Sequence, residues 1–517
     1  MKLTVPYLLV ATALLSACNI GGIPAGSSSP TTSTPQRGQL LANPPAATGT
    51  YGTADLLALV AGNSTAAQFL KLTFSAICTV TVYHIEYYTV GAKGESTQAS
   101  GALMIPSGAA SGCSGPRPIV EYAHATTPDK TFNIADLTRS DNDEGLLLAT
   151  AFASQGYIVV APNYAGYDTS TLGYHPYLVA DQQSKDMIDA LAAARSALAG
   201  KLAPPSTDSG KLFITGYSQG GFVAMATARA IQGAGDTVTA AAPMSGPYAL
   251  AAFGDAVFMG EVDLSATLNT TLLLGSYQQT YGNIYTNSTD VFTAQYATGI
   301  ETLLPSSTPI TTLYSQGLLP QFALFSATPP APEYPSITPA TTPANLAPAF
   351  ALGFGDPPLV LNTYRQSYLQ DAAAAPDGGF PTLTTNVPAA TPANTLRQAL
   401  KANDLRDWVP TSPILLCGGD SDPDVFFFNA QLMQQYWTTN PPTTPVTLLN
   451  VDTTPTGTYA AYQTAFAALK AAVALAAVVG GATDGGALAV LEDYHAGLVP
   501  PVCLGAVKAF FDAQLRP

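Results

Sequence analysis

Residues 211–232 read "KLFITGYSQGGFVAMATARAIQ" and contain the run Gly216-Tyr217-Ser218-Gln219-Gly220. Before the run, Leu212-Phe213-Ile214-Thr215 is short, apolar and partly β-branched, the pattern of a strand buried on both faces. After it, Phe222, Val223, Met225, Ala226, Ala230 and Ile231 recur at helical spacing until Gly233. A chain with 44 glycines makes the bare G-x-S-x-G pattern weak, so the flanks decide. Strand, sharp turn and helix are the setting in which such a serine becomes an exposed nucleophile. At that turn the serine backbone is strained, and a side chain two residues before or after it would collide with the neighbouring strand or helix. Gly216 and Gly220 carry none. The N-terminus of the following helix also aims unpaired N–H groups at the space above Ser218, where an oxyanion would be stabilised.

Working outward, further apolar runs read as central strands: "GALMI" at 101–105, "PIVEYA" at 118–123, "YIVVAP" at 157–162, "VTAAAPM" at 238–244, "PILLC" at 413–417 and "VTLLNV" at 446–451. Helical stretches lie between several of them; the clearest follows Asp181, with Met187, Leu191, Ala194 and Leu198 on one face. The alternation predicts an α/β fold with a mostly parallel central sheet and ligands at the carboxyl ends of its strands. Residues 251–410 break the alternation, being rich in Pro, Thr, Ala, Tyr and Leu, and are long enough for a cap or lid. Residues 459–480 are apolar and Ala-rich, but Gln463 and Lys470 interrupt them, so they read as a peripheral helix rather than a membrane span.

The 517 residues suffice for one large core with an insertion, or for two domains. The net charge is −15, and the lack of a Lys/Arg cluster argues against a nucleic-acid partner. The start, "MKLTVPYLLVATALLSAC", has a positive residue, an apolar stretch and then small residues, the form of a signal peptide over 1–17. Leu15-Ser16-Ala17-Cys18 resembles the bacterial lipoprotein box, which implies lipidation at Cys18 and attachment to a membrane. Asn19 after it fits the outer membrane. Residues 18–50, dominated by Gly, Ser, Thr, Pro and Ala, read as the lipid anchor and a flexible linker. Setting Cys18 aside leaves Cys78, Cys113, Cys417 and Cys503, an even number that suits an oxidising compartment.

A nucleophilic serine needs a base to take its proton, and the base needs a partner to fix its tautomer. The chain has 4 histidines. His84, His124 and His175 precede the elbow; His495, in "LEDYHAGLVPPVC", follows the last predicted strand and is the candidate base. "PILLCGGDSDPDVFFFNA" offers Asp420, Asp422 and Asp424 as the acid. Asp422 keeps a Gly-x-x-Asp-x-x-Val spacing with Gly419 and Val425 and is selected; the others fit turn carboxylates. The order Ser, Asp, His is that of α/β-hydrolases. A histidine base must be neutral, so activity is expected to fall as pH drops through roughly 6 to 7.

With "ITGYSQGG", "PNYAGYD", "HPYLVADQQSKDMIDALAAAR" and "DWVPTSPILLCGGDSDPDV" in place, the chain resembles the α/β-hydrolase superfamily, and within it secretory lipases of the lipase A type and related bacterial esterases, over roughly 99–246 and 408–517. The resemblance fits a catalytic domain in two parts, 51–250 and 411–517, and leaves the cap read at 251–410 between them unassigned. It implies the backbone N–H of Gln219 as one oxyanion donor and a second from the loop after "IVEYA", with Thr126 first and Ala125 close behind. "YAHATT" has Ala125 where many relatives have the Gly of a His-Gly turn. If Asp422 and His495 meet, Cys417 and Cys503 lie near each other and pair, leaving Cys78 for Cys113, much as tannase-like esterases couple these loops through cysteines at other positions. The expected activity is hydrolysis of a small-molecule or lipid-like carboxylic ester, through an acyl-enzyme and with no cofactor or metal. A peptidase of the same fold and a non-catalytic ligand-binding surface lipoprotein are the alternatives.

Overall fold

The computed structural model describes residues 36–62, 76–200, 202, 206–380, 382–383 and 387–516. The signal peptide and the lipidation site at Cys18 lie outside the described residues. A nine-stranded sheet runs through the remainder. Its strands are β1 (Ala46–Tyr51), β2 (Thr79–Val90), β3 (Ser96–Ser107), β4 (Gly115–Ala123), β5 (Ile158–Pro162), β6 (Ser206–Tyr217), β7 (Ala240–Met244), β8 (Ile414–Gly418) and β9 (Val446–Asn450), in spatial order β1-β2-β3-β5-β4-β6-β7-β8-β9. The first three pairings are antiparallel and every pairing from β5 to β9 is parallel.

The apolar runs build this sheet because both its faces are covered. Successive residues of a strand point to opposite faces. Ile214 and Leu416 enter the core on one side, Phe213 and Leu415 the core on the other. Helices α2 (Ala180–Ala199) and α3 (Gln219–Gly233) cover the first side, and α1 (Asp143–Ala151) and the C-terminal helix Val499–Leu515 the second. The stripe of Met187, Leu191 and Ala194 is buried on α2 as its spacing requires.

One boundary moves. The flexible linker expected over 18–50 does not extend to residue 50, because residues from Gln36 onward dock on the sheet. The Gly38 N–H donates to Tyr88 O (2.8 Å), the Leu41 N–H to Glu86 O (2.8 Å), and β1 then pairs with β2. A strand edge recruits backbone groups, which every non-proline residue owns, so small polar composition did not exclude pairing.

Between β7 and β8 the chain leaves the sheet. Helices α4 (Leu250–Phe258) and α5 (Ala266–Tyr281) open this insertion, and helices Asn362–Ala374 and Thr395–Ala402 close it. Phe258, Tyr277, Phe325 and Tyr368 of the insertion share one buried cluster with Ile214 and Leu416 of the sheet. Arg397, 3% exposed, bridges Asp255 on α4 (2.8 Å) and Asp371 (2.7 Å), joining three insertion helices. After β9, α6 (Ala460–Val479) lies on the surface with only Gln463 and Phe466 buried, and α7 (Ala487–Asp493) leads into a π-helical turn, Tyr494–Leu498. By length and composition the segments 457–479 and 487–515 could each cross a membrane; most of the second is buried within the protein.

Candidate active site

Ser218 joins the end of β6 to the start of α3 with φ 57° and ψ −121°, a left-handed conformation unusual for a residue with a side chain. Its amide donates to Met244 O on β7 (3.0 Å), which holds the turn against the next strand. A Cβ on Gly216 would lie 2.6 Å from Ala123 O and strike the Gly220 carbonyl; one on Gly220 would strike the carbonyl of Ala123. The two glycines are thus required by backbone on both sides of the elbow.

His495 reaches Ser218 from the π-helical turn. Its Nε2 is 2.8 Å from Ser218 Oγ, and its Nδ1 is 2.8 and 3.0 Å from the two oxygens of Asp422. Asp422 is fully buried, and its Oδ1 also accepts the N–H groups of Asp424 and Val425 (both 3.0 Å). An Nδ1–H donated to Asp422 leaves Nε2 to accept from the serine hydroxyl. Two tyrosines brace the histidine. Tyr217 donates its hydroxyl to His495 O (2.5 Å), while Tyr494 accepts from the Ser421 N–H (3.1 Å) and donates to Asp452 (2.8 Å). Gly419 is glycine because a Cβ there would meet the Tyr494 ring.

The competing aspartates are placed differently. Asp420 is exposed and its amide donates to Asn450 Oδ1 (3.2 Å). Asp424 is buried and accepts the Ser265 N–H (2.9 Å), while Leu264 donates to Pro423 O (3.0 Å), so the insertion is sewn to the acid loop. Asp263 of the same segment is buried as well; burial and the Asp424 carboxylate push its carboxyl up to about 8. For His495, burial alone would lower the pKa, but Asp422, with Asp424 and Asp263 behind it, overcomes this and the net shift is upward. The other histidines are elsewhere: His84 pairs with Asp168 (2.7 Å), and burial holds His124 near 4 and His175 near 3.

Gln219 is the first residue of α3, so its N–H has no acceptor within the helix. Its side chain is fixed by His175: the imidazole Nδ1 faces Ala165 O (2.9 Å), and Nε2 lies 2.7 Å from Gln219 Nε2, which donates to it. Across the site, the Ala125 N–H is taken by the Glu144 carboxylate (3.1 and 3.2 Å), and Thr126 Oγ1 is 3.0 Å from the Tyr177 hydroxyl. Sequence reasoning missed Glu144, Asp263 and His175. Each acts on the site across a long separation in sequence, Glu144 and His175 by hydrogen bonds and Asp263 by its charge near Asp424 and His495, and only the spacing of Asp143-Glu144 at a helix start gave any local signal.

Ser218 and His495 open into a cavity of about 390 Å³ that extends under the insertion. Leu250, Phe253 and Val257 of α4, Leu268 and Leu273 of α5, and Leu396 and Leu400 form its apolar arm, while Thr126, Asp143 and Glu144 border its polar end. Cys417 bonds Cys503 and Cys78 bonds Cys113. Among the described residues no cluster of three or more His, Cys, Asp or Glu side chains is arranged to hold a metal ion.

The family model of prolyl oligopeptidases matches residues 147–263. No curated protein sequence matches the chain. Among solved structures, the rice cell wall degrading esterase LipA from Xanthomonas oryzae, in a ligand-bound form, is 28% identical, with 93% of this chain and 100% of that one covered and a TM-score of 0.66. A hydrolase from Legionella pneumophila is 19% identical over 92% of this chain and 98% of that one, with a TM-score of 0.62. Lipase A of Candida antarctica is 12% identical, covering 80% and 76%, with a TM-score of 0.47.

Proposed function

We infer that this chain, an α/β-hydrolase with esterase- and lipase-like relatives, hydrolyses carboxylic esters through a Ser218–His495–Asp422 triad. The observation that carries this reading is the unbroken line of hydrogen bonds from Ser218 Oγ through the imidazole to a buried carboxylate, at the wall of a largely apolar cavity. His495 Nε2 takes the hydroxyl proton as Oγ attacks the ester carbonyl, and Asp422 stabilises the imidazolium that results. The N–H groups of Gln219 and Thr126 hold the oxyanion, and the imidazolium returns its proton to the departing alcohol. Water, activated by the same histidine, then releases the acid. No cofactor enters this scheme.

Ester rather than peptide substrates are favoured by the lining that the insertion contributes, in which leucines and phenylalanines outnumber the polar Asp263, Ser265, Asn269 and Thr270 that a peptide's amides would need as partners. The 28% identical relative, an esterase, spans nearly the whole chain, whereas the prolyl oligopeptidase match is confined to 147–263. Residues 251–410 act as the cap that shapes the acyl pocket. The two disulfides fit an exported protein. Lipidation at Cys18 would hold it on the membrane, probed by Cys18→Ala: the variant is expected in the soluble fraction, and retention on membranes refutes the anchor.

The function is tested by hydrolysis of p-nitrophenyl esters of increasing acyl length beside peptide p-nitroanilides, with Ser218→Ala as control. Turnover of esters that Ser218→Ala abolishes is the expected result. Turnover of anilides alone would replace the esterase with a peptidase, and wild-type turnover in Ser218→Ala would remove the mechanism.

A further inference from the structure

The proposed function takes its second oxyanion donor from the loop between β4 and α1, and Glu144 touches that loop from the first turn of α1. The helix starts at an Asn142 cap, whose Oδ1 accepts the Gly145 N–H (3.0 Å), and the positive end of a helix favours a carboxylate there. Both Glu144 oxygens contact the Ala125 N–H, and Oε1 also accepts the Tyr122 hydroxyl (2.5 Å). Ala125 is therefore committed to Glu144. The rest of the loop is pinned on either side: Tyr164 donates to His124 O (3.0 Å), Tyr167 to Thr127 O (2.8 Å), and the Tyr177 hydroxyl meets Thr126 Oγ1.

We propose that Glu144 is a positioning residue for ester hydrolysis: by holding the Ala125 N–H and the Tyr122 hydroxyl, it fixes the 124–127 loop so that the Thr126 N–H is the donor left for the oxyanion. The inference rests on Ser218 being the nucleophile. An oxyanion donor accelerates the reaction in proportion to how little it must reorganise as charge develops. Charge appears on the carbonyl oxygen only in the transition state, so a loosened donor lowers kcat while leaving ground-state binding nearly intact.

The experiment is steady-state hydrolysis of p-nitrophenyl butyrate by the full chain carrying Glu144→Ala or Glu144→Gln, beside the affinity of a trifluoromethyl ketone that adds to the serine as an oxyanion. Glu144→Ala is expected to lose roughly 10- to 100-fold in kcat with KM within about threefold, and ketone affinity should fall in parallel. Glu144→Gln keeps an oxygen for the Ala125 N–H and should recover to within about fivefold of wild type. A Glu144→Ala kcat equal to wild type, or a Glu144→Gln loss as large as that of Glu144→Ala, overturns the proposal. Should Glu144→Ala fail to fold, Tyr122→Phe frees one anchor and should show a smaller loss in kcat alone; no loss there refutes it equally. Ser218→Ala separates the two levels: if it is inactive while the Glu144 variants behave as wild type, only this inference fails, and if it remains active the triad reading fails first.

Discussion

Ser218 is held at φ 57° at a turn where the Ala123 carbonyl, at the end of β4, comes so close to both Gly216 and Gly220 that neither could carry a side chain. That strain keeps the hydroxyl at the cavity wall, 2.8 Å from His495. The protonation of His495 is governed by its surroundings. Burial lowers its pKa, but Asp422 in contact, and Asp424 and Asp263 beyond, raise it on balance, while Glu144 from α1 also faces it. The base must be neutral, and a raised pKa keeps the proton on to higher pH. The acid limb of kcat/KM is therefore predicted above the ordinary histidine value of about 6.5, and not across the 6 to 7 window that the residue type alone suggests. A pH–rate profile checks this, and Asp263→Asn should move the limb downward. A limb at or below pH 6 would show that the carboxylates do not act on the histidine.

At the scale of elements, the acid loop after β8 and the histidine turn before the last helix are tied covalently. Cys417 is the penultimate residue of β8, Cys503 lies on the helix Val499–Leu515, and the bond between them spans 86 residues. Closing a loop of that length removes about 4.6 kcal/mol of chain entropy from the unfolded state, an upper figure because native strain subtracts from it. Cys417→Ser with Cys503→Ser is expected to lower Tm by several degrees and kcat with it, since Asp422 and His495 are carried on the joined segments. Unchanged melting and turnover would mean that the tyrosine braces at Tyr217 and Tyr494 suffice alone. The elbow, the strand runs and this pairing were legible in the sequence because each rests on local pattern or chain order. The contact of Glu144 and the charge coupling of Asp263 to Asp424 were not, since they join a helix to a loop and an insertion to a loop across long separations. The docked stretch 36–50 was hidden for another reason: strand pairing there uses backbone groups, which composition does not report.

At the scale of the whole molecule, the insertion packs into the core of the sheet, so the two share one apolar interior. Among several buried polar groups left unpaired in the described residues, one is a carboxyl. Glu121 on β4 is fully buried, neither of its oxygens has a hydrogen-bond partner among the described residues, and burial pushes it up to about 8 against a partial pull from Arg195. Its folded pKa lies above the unfolded value of about 4.3, so between the two the folded chain holds a proton that the unfolded chain has lost. Stability must then fall as pH rises through that window. Glu121→Gln is predicted to raise Tm relative to wild type at pH 8 while matching it more closely at pH 5. An equal difference at both values would place a buried partner beside Glu121.

The proposed function rests on a single nucleophile, Ser218. Treating the protein with a fluorophosphonate, mapping the adduct by peptide mass spectrometry and following ester hydrolysis in the same sample tests it. One label per chain on the peptide carrying Ser218, with hydrolysis lost in step with labelling, is the predicted result. Hydrolysis that persists with Ser218 fully labelled, or a label on another serine with Ser218 bare, would contradict it.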